Sequence, residues 1–366
     1  MDPRDEEAYH DGYQDGLTPL EPLDVTACGS VDALLRAMSK TAFGGRRTGE
    51  AADVFEAMVR DPECAVVLTL SGAMTIAKMG LLVTELVERG LVHAIVSTGA
   101  LVCHGFVESS GGVHFKVDPT KTDEHYYRHG YNRVYDTLEL ERNLDDVVSI
   151  VKAVVDPLPG DTVLCSSVLH DMLGAELVRR KLGRGILQAC HRTNTPLFVP
   201  AFSDSELGID LAVHNRRRRL DGRRPLRFDP LIDLDRFTSW ACAQERLGIF
   251  TIGGGVPRNW AQEIGPYVEF LASEGLLEGR RVRRYTYALR ICPEPAHWGG
   301  LSGCTYTEGV SWGKFEPTSA GGRHVEVHSD ATIAWPLIVR AVLERLERDP
   351  APAKSLPKIA PLADDA

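Results

Sequence analysis

The chain has 366 residues, 43% of them hydrophobic, so it can bury a sizeable core as one large α/β domain, the reading preferred here over two smaller ones. Lys plus Arg total 41 against 51 for Asp plus Glu, a formal charge of −10, which argues against a nucleic-acid partner and tilts weakly towards cationic ligands. The eight scattered cysteines form no CxxC pair, which speaks against a zinc knuckle or a disulfide framework and suits a reducing cytosol.

Residues 1–25 are rich in Asp, Glu, Gly and Pro and read as an N-terminal arm. Met1–Tyr13 is acidic rather than basic-then-apolar, and no run approaches the roughly 18 apolar residues of a membrane span, so a soluble cytoplasmic protein is expected. The globular region spans 26–348. Ala65–Leu70 is an apolar run of strand length, followed by Ser71-Gly72 and by Ile76, Met79, Val83, Leu86 and Val87 at helical spacing. Gly90 ends that helix, and His93–Gly99 reads as a second strand, which makes a βαβ unit and therefore a parallel pair.

Further buried strands are expected at 162–165, 196–200, 249–252, 285–291 and 325–327, with helices such as 168–181 and 331–348 between them. This alternation predicts a Rossmann-like, doubly wound, mostly parallel α/β sheet with helices on both faces and ligands at the carboxyl ends of the strands. Arg216–Arg219 with Arg223, Arg224 and Arg227 reads as a solvated loop or subunit contact, with an anionic partner as the sharper alternative. The Pro/Ala-rich segment 349–366 reads as a flexible tail.

Three strand ends suit a dinucleotide. Ser71-Gly72-Ala73-Met74-Thr75 turns from strand to helix, Gly253-Gly254-Gly255 lets backbone approach a ligand, and Ser329-Asp330-Ala331 opens the last helix. None is a GxGxxG fingerprint, and capping alone explains such residues equally well. Asp204 follows another strand, where it either caps a helix or holds ribose hydroxyls. Val310-Ser311-Trp312-Gly313-Lys314-Phe315, with Glu308 just upstream, offers a lysine beside an indole and a carboxylate. Lysine exchanges imines once burial favours its neutral form, and the Trp312 face attracts cationic amines by roughly 0.5–2 kcal/mol. The bland alternative for Glu308 and Trp312 is a surface turn with an anchoring indole.

Taken together, Ser-Trp-Gly-Lys at 311–314, Gly253-Gly254-Gly255-Val256, Pro200–Asp204 and Ser329-Asp330-Ala331 resemble the deoxyhypusine synthase family in order and separation, over about residues 65–346. The resemblance implies a homotetramer that binds NAD near subunit interfaces and transfers a 4-aminobutyl group from spermidine. In that family an imine made by hydride loss is captured on the lysine, here Lys314, and passed to an acceptor amine. The acceptor is a lysine of a translation factor, or putrescine in the similar homospermidine synthases. The resemblance places Ser71, Thr75, Thr98, Gly99, Asp204, Gly254, Asp330 and Ala331 on the NAD side.

The amine side departs from the family. Cys103-His104 stands where the family has an acid pair, Asn259 replaces a histidine, Ile209 replaces an acid with Asp210 one place later, and Leu301 replaces another acid. Losing carboxylates weakens recognition of a polycation, because a desolvated ammonium without a partner is costly. A changed amine, such as a free diamine or an agmatine-like acceptor, is therefore expected, with Glu308, Trp312, Asp210 and Asn259 lining the pocket. His104 is the candidate for proton transfer, against a plain pocket-wall role, and Cys103 reads as a small buried residue. The rival readings are a protein-modifying deoxyhypusine synthase and an NAD-binding sensor or scaffold without transfer. No metal is expected.

Overall fold

A computed structural model describes residues 4–361 apart from 278 and 280. The strands are β1 Cys64–Leu70, β2 Ala94–Ser97, β3 Phe115–Lys116, β4 Tyr131–Val134, β5 Thr137–Leu140, β6 Val163–Leu164, β7 Leu197–Phe198, β8 Arg227–Phe228, β9 Arg246–Ile252, β10 Tyr285–Ile291 and β11 Arg323–Val327. The helices of the first half are α1 Val31–Ser39, α2 Phe43–Arg60, α3 Gly80–Glu88, α4 Gly99–Ser109, α5 Asp123–Arg128, α6 Glu141–Val155 and α7 Ser166–Arg179. Those of the second half are α8 Ile186–Thr193, α9 Glu206–Leu220, α10 Pro230–Cys242, α11 Gly255–Gln262, α12 Ile264–Ser273, α13 Tyr306–Ser311 and α14 Ala331–Arg348.

Six strands form one sheet in the order β11-β10-β9-β1-β2-β7, with every pair parallel. Strand order therefore runs outward from β1 to β2 and β7 on one side, and outward through β9 to β10 and β11 on the other. The boundary between β1 and β9 is the topological switch point, where crossovers leave in opposite directions and open a crevice at the carboxyl ends. The continuous apolar runs explain why these strands are buried on both faces. In β1, Val66, Leu68 and Leu70 enter one core cluster, while Ala65 and Val67 enter the other. α1, α2 and α14 contribute to the first, and α10, α11 and α12 to the second. Buried Arg345 on α14 ties that layer together through Asp32, Asp53 and Glu56 at 2.5–2.8 Å.

Several expectations shift. The helix expected soon after Ser71 begins only at Gly80; residues 72–79 form turns, with Gly72 and Lys78 at positive φ. The strand expected at 162–165 stays outside the main sheet and pairs only with β8. A separate antiparallel sheet, β3-β5-β4, was not expected, because its strands are polar and partly exposed.

The described part of the tail has no regular structure and is mostly exposed, but residues within it make contacts with the domain. Lys354 Nζ donates to the carbonyls of Met58 and Cys64 at 2.7 Å, and Ile359 is buried in the second core cluster. Arg216–Arg219 end α9 rather than occupying a loop, and buried Arg218 donates to the carbonyls of Leu158 and Arg224. All eight cysteines are free. No described helix is long and apolar enough to cross a membrane.

Candidate functional site

Lys314 follows the short helix α13 and a turn in which Gly313 adopts φ +70. Gly265 lets this turn approach: a Cβ there would lie 2.5 Å from the Gly313 carbonyl. The Tyr285 N–H donates to the Lys314 carbonyl, and the Glu316 N–H donates to that of Tyr285, so the lysine backbone is fixed at the start of β10. Its side chain is 10% exposed, and Nζ donates to Asn259 Oδ1 and Glu263 Oε1, each at 2.9 Å. Nζ also lies 5.8 Å from the centroid of the Trp312 ring, which is itself mostly exposed. A buried amine is thus held between an amide oxygen, a carboxylate and an indole that faces solvent.

The surrounding shell is extensively hydrogen-bonded. Glu326 accepts from the Tyr306 N–H at 2.8 Å and pairs with Arg290 at 2.9 Å, while Arg290 and Arg258 both donate to the Cys304 carbonyl at 2.7 Å. Two buried guanidiniums therefore pin the 301–305 segment that leads into α13, and Arg258 stacks over Tyr306. Glu308 sits in the first turn of α13, capped by Thr305 Oγ1, and is exposed at the rim.

Asn259 and Glu263 stand one turn apart on and just after α11, so both reach the same point in space. Glu263 was not anticipated from sequence; its signal is the i,i+4 spacing from Asn259 after the triple glycine. Asn259 lies four residues, about 6 Å, along the helix from Gly255. The lysine tip is therefore about one turn away from the helix end that opens at the switch-point crevice.

At that crevice Ser71 Oγ donates to the Ile252 carbonyl and accepts from the Gly254 N–H at 2.8 Å, joining the ends of β1 and β9. Gly253 has φ +78, and a Cβ there would collide with Ser71 Oγ; a Cβ at Gly254 would lie 2.6 Å from Ser302. These glycines therefore serve the chain's own close packing and bring main chain to the crevice. Thr98 and Gly99 begin α4 beside it, where a Cβ at Gly99 would strike Ser205.

Two helix starts, at α4 and α11, thus present free N–H groups to one groove, a donor set that fits the phosphates of a dinucleotide. Asp204 follows β7 and Asp330 follows β11, the two edge strands of the sheet. Asp204 is exposed; Asp330 caps α14 by accepting from Thr332 N and Oγ1, with Ala331 buried behind it. Thr75 is buried, and its hydroxyl donates to the Leu101 carbonyl.

His104 is not among the groups around Lys314 Nζ. It lies in α4 with Nδ1 2.8 Å from Glu139 Oε2, a short contact that is out of line for a hydrogen bond. Burial opposes charging the ring, but Glu139 and Glu206 outweigh it and raise the His104 pKa. Glu139 is almost fully buried; burial alone would raise its pKa, yet His104 and His114 hold it down to about 2. Asp210, one turn after Glu206 on α9, is pushed up to about 6 by burial and by the Glu206 charge. Cys103 is buried with its thiol pushed well above the ordinary value by burial, so it is not a ready nucleophile.

Comparison with known proteins places this geometry in context. The family described as deoxyhypusine synthase matches residues 33–342. "Probable deoxyhypusine synthase 2" of Methanosarcina mazei is 34% identical over 329 residues, covering 90% of each chain. "Deoxyhypusine synthase-like protein" of Chlorobaculum parvum is 31% identical, covering 87% of this chain and 88% of its own. A crystal structure of "a putative deoxyhypusine synthase from Entamoeba histolytica" shares the fold with a TM-score of 0.58 at 15% identity, covering 89% of this chain and 97% of that one.

Proposed function

The chain belongs to the deoxyhypusine synthase family, and from that premise we propose that it is an NAD-dependent aminobutyl transferase in which Lys314 carries the transferred group. The observation that carries this reading is the Lys314 amine, buried yet reachable past Trp312, with an acid in hydrogen-bond contact. NAD, when bound, supplies hydride acceptance from the donor amine and hydride return to the product. Ser71, Gly254, Thr98 and Gly99 are the residues at the crevice suited to hold it, with Asp204 and Asp330 on its flanks.

Lys314 is the nucleophile. Attack on a substrate imine needs the Nζ lone pair, and Glu263 Oε1 at 2.9 Å is placed to take the proton that leaves it. The C–N bond from Nζ to the imine carbon forms, the bond to the departing amine breaks, and that amine leaves with a proton. The result is an imine on Lys314, from which the four-carbon group passes to an acceptor amine by the reverse exchange. Asn259 accepts a hydrogen bond from Nζ, but an amide oxygen is too weakly basic to take its proton, so Asn259 orients the lysine rather than acting as a base. The Trp312 face and Glu308 at the rim receive the cationic end of the substrate.

The acceptor we propose is a free diamine or an agmatine-like amine, in a cytoplasmic homotetramer. The support is the loss of family acids at 103–104, 209 and 301, which leaves Glu263 in contact with the lysine and Glu308 on the helix that leads to it. The test is mass spectrometry of products after incubation with NAD and pairwise mixtures of spermidine, putrescine and agmatine. A new secondary amine that forms only with NAD supports the reading. Label passing from spermidine to a protein of the lysate, with no small product, would replace it with protein modification. NAD binding without any new product would replace it with a sensor role.

A further inference from the structure

α4 packs into the first core cluster, whereas Phe315, next to Lys314, packs into the second, so the polar groups of α4 form a centre of their own. His104 on α4, His114 just before β3 and Glu139 on β5 place one ligand atom each within 4.8 Å of one another. His114 and Glu139 are buried, and the His104 side chain is 13% exposed. Glu139 Oε2 lies 2.8 Å from His104 Nδ1, and Oε1 lies 3.1 Å from His114 Nε2. The first contact is not a hydrogen bond: Nδ1 is buried without a partner. Two polar atoms so close and out of line are costly to bury unless a cation lies between them. Ligands held about 2.1 Å from one ion stand about 3.0 Å apart at a right angle and about 3.4 Å apart at the tetrahedral angle, so both separations are close to those of neighbouring ligands.

Lys78 competes for the same carboxylate. Its Nζ lies 2.7 Å from His114 Nδ1, and an ammonium only donates, so Nδ1 accepts and the ring proton sits on Nε2, towards Glu139. The lysine charge thereby offsets the buried carboxylate through the ring. An ion on Nε2 needs the other tautomer, with the proton on Nδ1, and Lys78 then has to withdraw. It has somewhere to go: its side chain is 45% exposed and already pairs with Glu108 at 3.3 Å. A dication has the advantage over one ammonium, because Glu206 is a second carboxylate whose charge acts on His104, and Glu206 Oε2 is likewise buried without a partner.

We infer that His104, His114 and Glu139 bind a divalent transition-metal ion of the zinc or iron(II) class, with Lys78 as the ammonium that the ion displaces. Two imidazoles and one carboxylate are a donor set for such ions, and three protein ligands leave a further position for water. Cys103, next in sequence, turns its sulfur to the Leu207 N–H on α9 and stays outside the set. The ligands come from α4, from the segment before β3 and from β5, so the ion ties the β3-β5-β4 sheet to the helix that starts at Gly99 beside the crevice. The inference needs neither NAD nor an amine and does not rest on the transferase reading.

The test is calorimetric titration of the chelator-treated full chain with zinc and with iron(II) near neutral pH, with Co(II) as a spectroscopic probe of the donors. One equivalent is expected to bind. Loss of a ligand costs at least as much as an outer-shell change, so Glu139→Gln is expected to weaken binding about 100-fold or more; removal of the competing ammonium in Lys78→Met is expected to tighten it about 10-fold. Co(II) is expected to show ligand-field bands without thiolate charge transfer, and the ion is expected to slow amide exchange in peptides spanning 113–140. A wild type that takes up none of the three ions overturns the inference without recourse to any variant. Uptake unchanged in Glu139→Gln, or in His104→Gln should the first variant not fold, overturns it as well. A thiolate band moves the ion to a cysteine and overturns the donor set, and equal affinity in Lys78→Met and wild type overturns the displacement.

Discussion

Glu263 Oε1 stands 2.9 Å from Lys314 Nζ, on the same side of the amine as Asn259. A lysine that must attack an imine needs somewhere to put its proton, and this is the acid in contact with it. Glu263→Gln keeps the hydrogen-bonding shape and removes the base. It is expected to slow single-turnover transfer by about 100-fold or more while NAD affinity stays unchanged. A rate within a few-fold of wild type would assign the proton elsewhere.

Trp312 is largely exposed, so its attraction for a cation is at the weak end, about 0.5–1 kcal/mol. Trp312→Ala is expected to raise the amine KM about 2- to 5-fold, and Trp312→Phe to recover much of it. Steady-state kinetics with the preferred amine check this, and equal KM values in all three proteins would remove the indole from substrate recognition.

Asp330 both caps α14 and faces the carboxyl edge of the sheet, so Asp330→Ala mixes two effects. Loss of the cap costs about 1 kcal/mol, whereas loss of a charge-assisted bond to a ligand costs roughly 1.5–3 kcal/mol, or about tenfold or more in affinity. Asp330→Ser separates them. The serine is expected to restore the melting temperature but not the NAD affinity measured by calorimetry; recovery of both would leave Asp330 as a cap alone.

Asp210 is raised to about 6 in the folded protein, first by burial and then by Glu206. The native state therefore favours its neutral form, and the stability it contributes below its unfolded value near 4 is lost as pH rises through 6. Asp210 is only partly buried, so screening reduces the penalty at pH 7 to roughly 1 kcal/mol. Asp210→Asn is expected to raise the melting temperature at pH 7.5, with the gain fading between pH 6 and 4. An equal gain at both ends of that window would point to packing rather than charge.

The six-stranded sheet was legible because its strands are apolar on both faces, as Ala65–Leu70 and Ile249–Ile252 show by dividing their side chains between two cores. Val163–Leu164 misled because a run of four residues does not say which sheet it joins. The β3-β5-β4 unit was invisible for the opposite reason: its strands are polar, and Glu139 becomes buried only through histidines 35 and 25 positions earlier. Lys314 and Trp312 were readable as a motif, and the structure adds their distance. Glu263 was missed because a helical acid looks like any solvated one until the lysine 51 positions later folds onto it. The contacts of Lys354 and Ile359 were not legible because they form without regular structure, which periodicity cannot register.

The central claim is a covalent imine on Lys314. Borohydride added during turnover with NAD and a polyamine donor, followed by peptide mass mapping, tests it most directly. The predicted result is an aminobutyl adduct on the peptide that carries Lys314, absent without NAD and absent in Lys314→Arg. An active enzyme that yields no adduct, or an adduct on another lysine, would contradict it.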